Sequence, residues 1–133
     1  MDLTNITATI RVDAATNKGS VIDVIRLVHP DIESKHASTY FTRLTTEIPE
    51  IATQCGLLRI NGKGKPSPVA DAKTLVEIVF SLPGKAAREF RRTSAKTVCR
   101  VLGGDLSIVQ EIEQRHHTLQ QTEGGRAAQA FTL

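Results

Sequence analysis

The hydrophobic positions of this chain follow two periods, one typical of strands and one typical of helices. Alternate residues are apolar at Ile6, Ala8, Ile10 and Val12, and the turn-forming stretch DAATNKGS follows them. This alternation predicts a half-buried first strand. From residue 21 onward the apolar spacing changes to three and four residues in most segments. The pattern therefore predicts a mostly helical chain with few strands.

Capping residues and prolines set the predicted ends of the first two helices. Ser20 is placed to cap the segment VIDVIRLV, and Pro30 ends it. Asp31 or Ser34 then opens a second helix that reaches about Ile48. A pair of helices joined by a short turn is expected.

The second half of the chain predicts two long helices in succession. Asp71 caps AKTLVEIVFSL, whose apolar residues occupy more than one face. This helix is expected to be the buried centre of the fold, and Leu75, Ile78 and Val79 should be covered. A Pro-Gly pair separates it from KAAREFRRTSAKTVCRVL, which a Gly-Gly pair ends.

A last helix is predicted from Asp105 to about His117. The apolar residues expected to face inward are Leu106, Val109 and Ile112. Beyond this helix, TLQQTEGGRAAQAFTL loses the helical period. We therefore expect a single domain over residues 1–117 and a flexible C-terminal tail over residues 118–133.

The stretch NGKGKP lies between two extended segments, GLLRI and PSPV. Asn-Gly in that setting is a strong hairpin signal, because both residues tolerate positive φ. A phosphate loop of the Walker type has Gly-x-x-x-x-Gly-Lys-Ser/Thr entering a helix, whereas this spacing differs and prolines interrupt it. The expected fold class is α+β, a compact helical domain with a short antiparallel β-hairpin or small sheet.

Composition limits the setting in which the chain works. Its 133 residues, 40% of them hydrophobic, suit one domain with one core. No apolar run approaches the ~20 residues that span a bilayer, and the first residues do not resemble a signal peptide. We expect no membrane association and an intracellular location, in cytoplasm or nucleus depending on the host. Cys55 and Cys99 are expected to be buried free thiols.

The net charge of +3 is mild, so its distribution matters more than its size. On a helical projection, one stripe of basic residues lies opposite an apolar side. The stripe consists of Lys85, Arg88, Arg92, Lys96 and Arg100. Two interpretations are open, a solvated cationic face and a surface that binds phosphate.

Two further segments are candidates for nucleic-acid contact. The predicted second helix carries short hydroxyl side chains beside Lys35 and Arg43, with Thr39 between them. Such a surface suits base edges in a major groove, although Ser and Thr are as common on plain solvent-facing helices. In the predicted hairpin, Lys63 and Lys65 would form a basic wing.

The sequence offers little for catalysis or metal binding. His29, His36 and the adjacent pair at 116–117 have no Cys, Asp or Glu at ligand spacing. Neither cysteine stands in a nucleophile motif, and no carboxylate pair lies in an apolar setting. We expect no enzyme activity, no catalytic residues, no cofactor and no metal.

The order of segments resembles a known family over roughly residues 6–104. The segment DVIRLV, a second helix ending at TEI, a hairpin with INGKG, and DAKTLVEIVFSLPGKAAREFRR before a GGD turn are similar to the Bro-N domain of phage antirepressors and large DNA virus proteins, a relative of KilA-N. The family's tryptophan after the Phe-Arg pair is replaced by Thr93 here. The resemblance implies a compact α+β DNA-binding module.

Two functions from different classes follow. The first is a non-enzymatic DNA-binding module that contacts the phosphate backbone through the basic hairpin and basic helix, with a role in the control of transcription or replication. The second is an antirepressor-like protein-protein interaction module or homo-oligomer, in which the last helix contacts a protein partner or completes a homodimer.

Overall fold

A computed structural model describes residues 10–129 of the chain. In chain order, the strands are β1 (Val12–Asp13), β2 (Lys18–Ser20), β3 (Gly56–Leu58) and β4 (Ser67–Ala70). The helices are α1 (Val21–Val28), α2 (Ser34–Glu47), α3 (Pro49–Gln54), α4 (Ala72–Ser81), α5 (Lys85–Leu102), α6 (Ser107–Gln120) and α7 (Glu123–Ala128). A 3-10 turn covers Ile60–Gly62. The predicted α+β class, helical with a small sheet, is confirmed.

The four strands form one antiparallel sheet in the order β1-β2-β4-β3. Strand β2 is central because it pairs with β1 through Gly19 and Val12 and with β4 through Gly19 and Ala70. Strand β3 pairs only with β4 within the described residues, which makes the predicted hairpin. Of the predicted first strand, residues 6–9 lie outside the described residues, and β1 begins at Val12.

Helix α1 is the centre of the core. Ser20 caps it as predicted, its side chain accepting a hydrogen bond from the Asp23 amide at 3.1 Å. Five of its eight residues are buried, and it contacts β4, α2, α4 and α5. An eight-residue helix with apolar side chains in so many directions needs cover on several sides.

Helix α4 is capped by Asp71, as predicted, and Leu75, Ile78 and Val79 are buried. Its predicted place at the centre of the fold is wrong, since Val76 is 56% exposed and Phe80 43% exposed. These two side chains line an open groove of about 540 Å³ between α1, α4 and α5. Helix α4 therefore lies at the edge of the core and not at its middle.

Helices α6 and α7 correct two expectations about the C-terminal part. Leu106, Val109 and Ile112 do not face inward but are more than half exposed, and α6 has no buried residue. Helical structure also continues beyond His117, to residue 120 in α6 and again in α7. The mobility predicted for residues 118–133 stays a prediction.

Helix α7 consists mostly of small residues, so hydrophobic periodicity does not predict it. Thr122 caps this helix by accepting a hydrogen bond from the Gly125 amide at 2.9 Å. Gly125 is buried against the backbone of Leu119, where a Cβ atom would clash. Helix α7 thus contacts α6 by close backbone approach, and it also touches β1.

Candidate nucleic-acid interface

Helix α5 presents a cationic face to solvent. Its buried side consists of Ala87, Phe90 and Ser94, and its 18 residues include six basic side chains and one acidic side chain. Exposed basic side chains lie at Lys85, Arg88, Arg92 and Lys96. Within residues 10–129, none of these four forms an ion pair. Within the described residues these four side chains therefore face solvent without a direct acidic partner, and a polyanion can approach them.

Arg100, the fifth member of the predicted stripe, is engaged elsewhere. Its guanidinium lies 2.9 Å from Asp105 Oδ2 and 2.9 Å from Glu111 Oε2, and it also donates to Ser107 Oγ at 2.8 Å. The hydrogen bonds to Glu111 and Asp105 raise the pKa of Arg100. Hydrogen bonds from Ser107 and Arg100 in turn lower the pKa of Asp105 to about 2. Arg100 therefore fixes the turn between α5 and α6, and its charge is already neutralised.

The loop over residues 59–66 is the predicted wing. Asn61, Gly62 and Gly64 all have positive φ, of 53°, 72° and 71°, a conformation that asparagine and glycine tolerate. The Arg59 side chain donates from Nε to the Gly64 carbonyl at 2.8 Å and so braces the loop from within. Lys63 and Lys65 are exposed. The hairpin is confirmed, but its reversal is a wide loop and not a two-residue Asn-Gly turn.

The base of the loop is attached to the β1–β2 hairpin through Asp13. The Asn61 amide donates to Asp13 Oδ1 at 2.8 Å, and Asn61 Oδ1 accepts from the Ala14 amide at 3.0 Å. Asp13 also accepts from the Thr16 hydroxyl at 2.8 Å. The hydrogen bond from the Asn61 amide, followed by that from Thr16, holds the pKa of Asp13 below its usual value.

Acid should therefore weaken this attachment. Because the pKa of Asp13 is lower in the folded than in the unfolded protein, its contribution to stability is complete above the unfolded value of about 4 and is lost as the pH falls through the folded value. We expect the free energy of unfolding to decrease less steeply below about pH 4 in Asp13→Asn than in the wild type. Denaturant titrations at several pH values measure this, and Asp31→Asn, at an exposed carboxylate, controls for loss of one charge. Equal slopes in wild type and Asp13→Asn would contradict the expectation.

Helix α2 has the boundaries expected of it and buries Ala37 and Leu44. Lys35, Thr39 and Arg43 are all exposed. The hydroxyls along this face donate to carbonyls of their own helix; Thr39 donates to Lys35 at 3.2 Å and Thr42 donates to Ser38 at 3.0 Å. Lys35 approaches Glu33 at 3.6 Å with both side chains mostly exposed, so that pair contributes little.

The three sets of candidate residues are carried by different parts of the fold. Helices α1 and α2, joined by residues 29–33, contact each other, and the β3–β4 hairpin follows through α3. The loop contacts β1, whereas α5 contacts α1 and α4. The fold thus carries a helix with polar hydroxyls, a basic loop and a basic helix on one small domain, each supported by its own neighbours.

Arg59 and Asp13, which hold the loop in place, are residues of the candidate interface that the sequence pattern missed. Arg59 directly precedes the Ile-Asn-Gly stretch, so its place beside a basic loop could have marked it. Asp13 bonds to a residue 48 positions away, and no local spacing announces such a contact.

Other chemistry is sparse in the described part of the chain. No group of three His, Cys, Asp or Glu side chains there is arranged to hold a metal ion. Cys55 and Cys99 are free thiols, but the expected burial is wrong for Cys99, which is exposed. Cys55 is partly buried, and this burial raises its pKa. The groove beside Phe80 and Phe90 is lined almost entirely by apolar side chains. Among residues 10–129, no helix combines the length and hydrophobicity that a membrane span requires.

Comparison of the chain with models of protein families, with curated proteins and with solved structures finds no match.

Proposed function

We propose that this domain is a non-enzymatic module that binds duplex DNA. The observation that carries the proposal is the face of α5, where Lys85, Arg88, Arg92 and Lys96 are exposed and have no acidic partner within residues 10–129. Like charges on successive turns repel one another, which costs helix stability unless an anion offsets it. A DNA backbone supplies phosphates in a regular array.

The succession of α1, a short turn and α2 matches the element order of helix-turn-helix motifs and supports a role for α2 in base contact. In such motifs the second helix enters the major groove and the first crosses the backbone. Helix α2 offers Lys35, Thr39 and Arg43 on its exposed side, and Arg is the side chain best suited to guanine. These residues are proposed to distinguish sequences, while the cations of α5 and the loop supply affinity.

The loop at 59–66 is proposed to hold the adjacent backbone. Lys63 and Lys65 project from a segment that Arg59 braces and that Asn61 ties to Asp13. Holding the loop in one conformation lowers the entropy lost when it meets DNA. The resemblance in segment order to Bro-N proteins adds the proposed biological role, the control of transcription or replication inside the cell.

A protein-interaction function is the second candidate. The observation in its favour is the set of apolar side chains exposed on α5 and α6, including Val101, Leu102 and Leu106. Monomeric proteins seldom expose so many neighbouring large apolar residues without use.

A salt titration of duplex binding tests the loop. With Lys63 and Lys65 added to the four cations of α5, the logarithm of the association constant should fall against the logarithm of salt with a slope of roughly −5, from ~0.9 per phosphate contact. Changing Lys63 and Lys65 together to alanine should lower the size of that slope by about two and weaken all sequences alike.

Substitutions on α2 serve as the comparison for the double lysine variant in the same salt titration. Thr39→Ala and Arg43→Ala should alter sequence preference more than the salt slope, because they act on bases and not mainly on phosphates. His116→Ala, far along α6, should change neither quantity. No duplex binding at low salt would refute the proposed function, and an unchanged slope in the double lysine variant would refute the role of the loop.

A further inference from the structure

Six large aliphatic side chains lie exposed around the turn that joins α5 to α6. Their exposed fractions range from 51% to 82%. We call this surface the apolar elbow, and its members are Val98, Val101, Leu102, Leu106, Val109 and Ile112. Three of them lie in α5, Leu106 ends the turn at residues 103–106, and two lie in α6.

The elbow continues the buried side of α5 beyond the core. Phe90 and Ser94 lie on the buried side of that helix, and Val98 and Val101 follow one and two turns later on the same side. Both valines are more than half exposed, since the elements that cover Phe90 do not reach them. Helix α5 therefore carries a core-type surface that the rest of the described chain leaves uncovered.

The geometry of the elbow is fixed. Arg100 bonds Asp105, Ser107 and Glu111 at once, so one side chain ties the last turn of α5 to the first turns of α6. An apolar surface held in one shape loses less entropy on association than a mobile one.

The charges of the region suit a second copy of this chain. The charged residues from 98 to 112 are Arg100, Asp105 and Glu111, and they are paired with one another. The exposed cations of α5, from Lys85 to Lys96, lie on the opposite side of that helix from Val98 and Val101. Two elbows can therefore meet without placing positive charge against positive charge, which a surface must satisfy to contact itself.

The spacing of apolar residues is also self-complementary. Leu106, Val109 and Ile112 are separated by three residues each. If two α6 helices cross antiparallel at Val109, Leu106 of each lies near Ile112 of the other. A two-fold contact requires this reciprocal matching.

The exposed area agrees with a dimer of ordinary size. Burying an aliphatic side chain is worth about 1.5–3 kcal/mol at ~25 cal/mol per Å², which corresponds to roughly 60–120 Å² for each residue. Six residues, each more than half exposed, then supply on the order of 230–450 Å² per copy, or roughly 450–900 Å² for two. A standard interface of ~1,600 Å² is a little over half apolar, so the elbow can supply between about half and all of its apolar part.

We infer that the apolar elbow is the contact surface of a two-fold symmetric homodimer. The two α6 helices meet at Val109, and Val98, Val101 and Leu102 of each copy are covered by the elbow of the other. The basic faces of both α5 helices remain open to solvent in this arrangement.

Molar mass measured by light scattering and by sedimentation without DNA tests the inference. The wild-type protein should change from monomer to dimer as its concentration rises. Changing Leu102 and Val109 together to glutamate should raise the dimer dissociation constant by at least about a hundredfold, because it places charges in the centre of an apolar contact. Leu57→Glu on β3, at a residue that is 70% exposed and outside the elbow, should leave the dissociation constant unchanged.

Circular dichroism establishes that each variant is folded. If the glutamate variant loses helix content, Leu102→Ser with Val109→Ser replaces it, since serine adds no charge and should still weaken the dimer. A wild-type protein that stays monomeric at the highest concentration overturns the inference. A dimer that the elbow changes leave as tight as before overturns it as well.

Discussion

Changing Arg88, Arg92 and Lys96 together to alanine is expected to weaken duplex DNA binding on the order of a thousandfold at about 50 mM salt. Each phosphate contact contributes ~0.9 to the salt slope, so losing three should reduce its size by nearly three and bring the affinities of variant and wild type together near 1 M salt. Alanine favours helix, and all three positions are exposed, so the fold should be retained.

Two single changes serve as controls for this triple variant. Lys73→Ala removes an exposed cation from α4, outside the proposed interface, and should leave the slope unchanged. Arg100→Ala should also leave the slope unchanged, because that guanidinium is already paired with Asp105 and Glu111. A triple variant that keeps the wild-type slope would show that α5 makes none of the phosphate contacts.

The second large effect concerns stability. Ile25→Ala is expected to lower the free energy of unfolding by about 2–5 kcal/mol, because Ile25 is fully buried in α1 and its truncation leaves a cavity. Val76→Ala, at a position on α4 that is 56% exposed, should cost less than ~1 kcal/mol, since much of its surface is in water already. Denaturant unfolding of both variants measures the difference. Equal losses would contradict the central position of α1.

Capping residues and glycine pairs in the sequence predicted most helix ends correctly. Ser20 and Asp71 each accept a backbone hydrogen bond three residues ahead, and a cap of this kind depends on neighbouring residues alone. The Gly-Gly pair after Leu102 ends α5 for a similarly local reason, because Gly104 takes positive φ. Boundaries set by short-range contacts can be found without knowing the fold.

Which helix lies in the middle depends on long-range contacts instead. The apolar residues of α4 cover more than one face, yet Val76 and Phe80 border an open groove. The apolar residues of α6 have a helical period, yet Val109 and Ile112 are exposed. Periodicity shows that a face is apolar but not what covers it, and for α6 the described chain provides no cover.

The candidate interface also combines features that the local sequence predicts with features that depend on long-range contacts. The exposure of Lys85, Arg88, Arg92 and Lys96 agrees with the helical projection, since the side opposite an apolar face meets solvent. The sequence did not indicate that Arg100 pairs with Asp105 and Glu111, because this pairing depends on how the chain turns at residues 103–106. The hydrogen bond between Asn61 and Asp13 joins residues far apart in the sequence. It could not be predicted without the sheet, which brings the two residues together.

The hydroxyl bonds within α2 have a consequence for the kind of base edge that this helix can match. Thr39 and Thr42 give their protons to carbonyls of the same helix, so toward solvent these oxygens present lone pairs only. An oxygen of that kind complements the amino groups of adenine and cytosine in the major groove and not the acceptor pair of guanine. Arg43 supplies the opposite polarity. On the proposed interface, α2 would therefore present hydroxyl acceptors together with two cationic donors, Lys35 and Arg43.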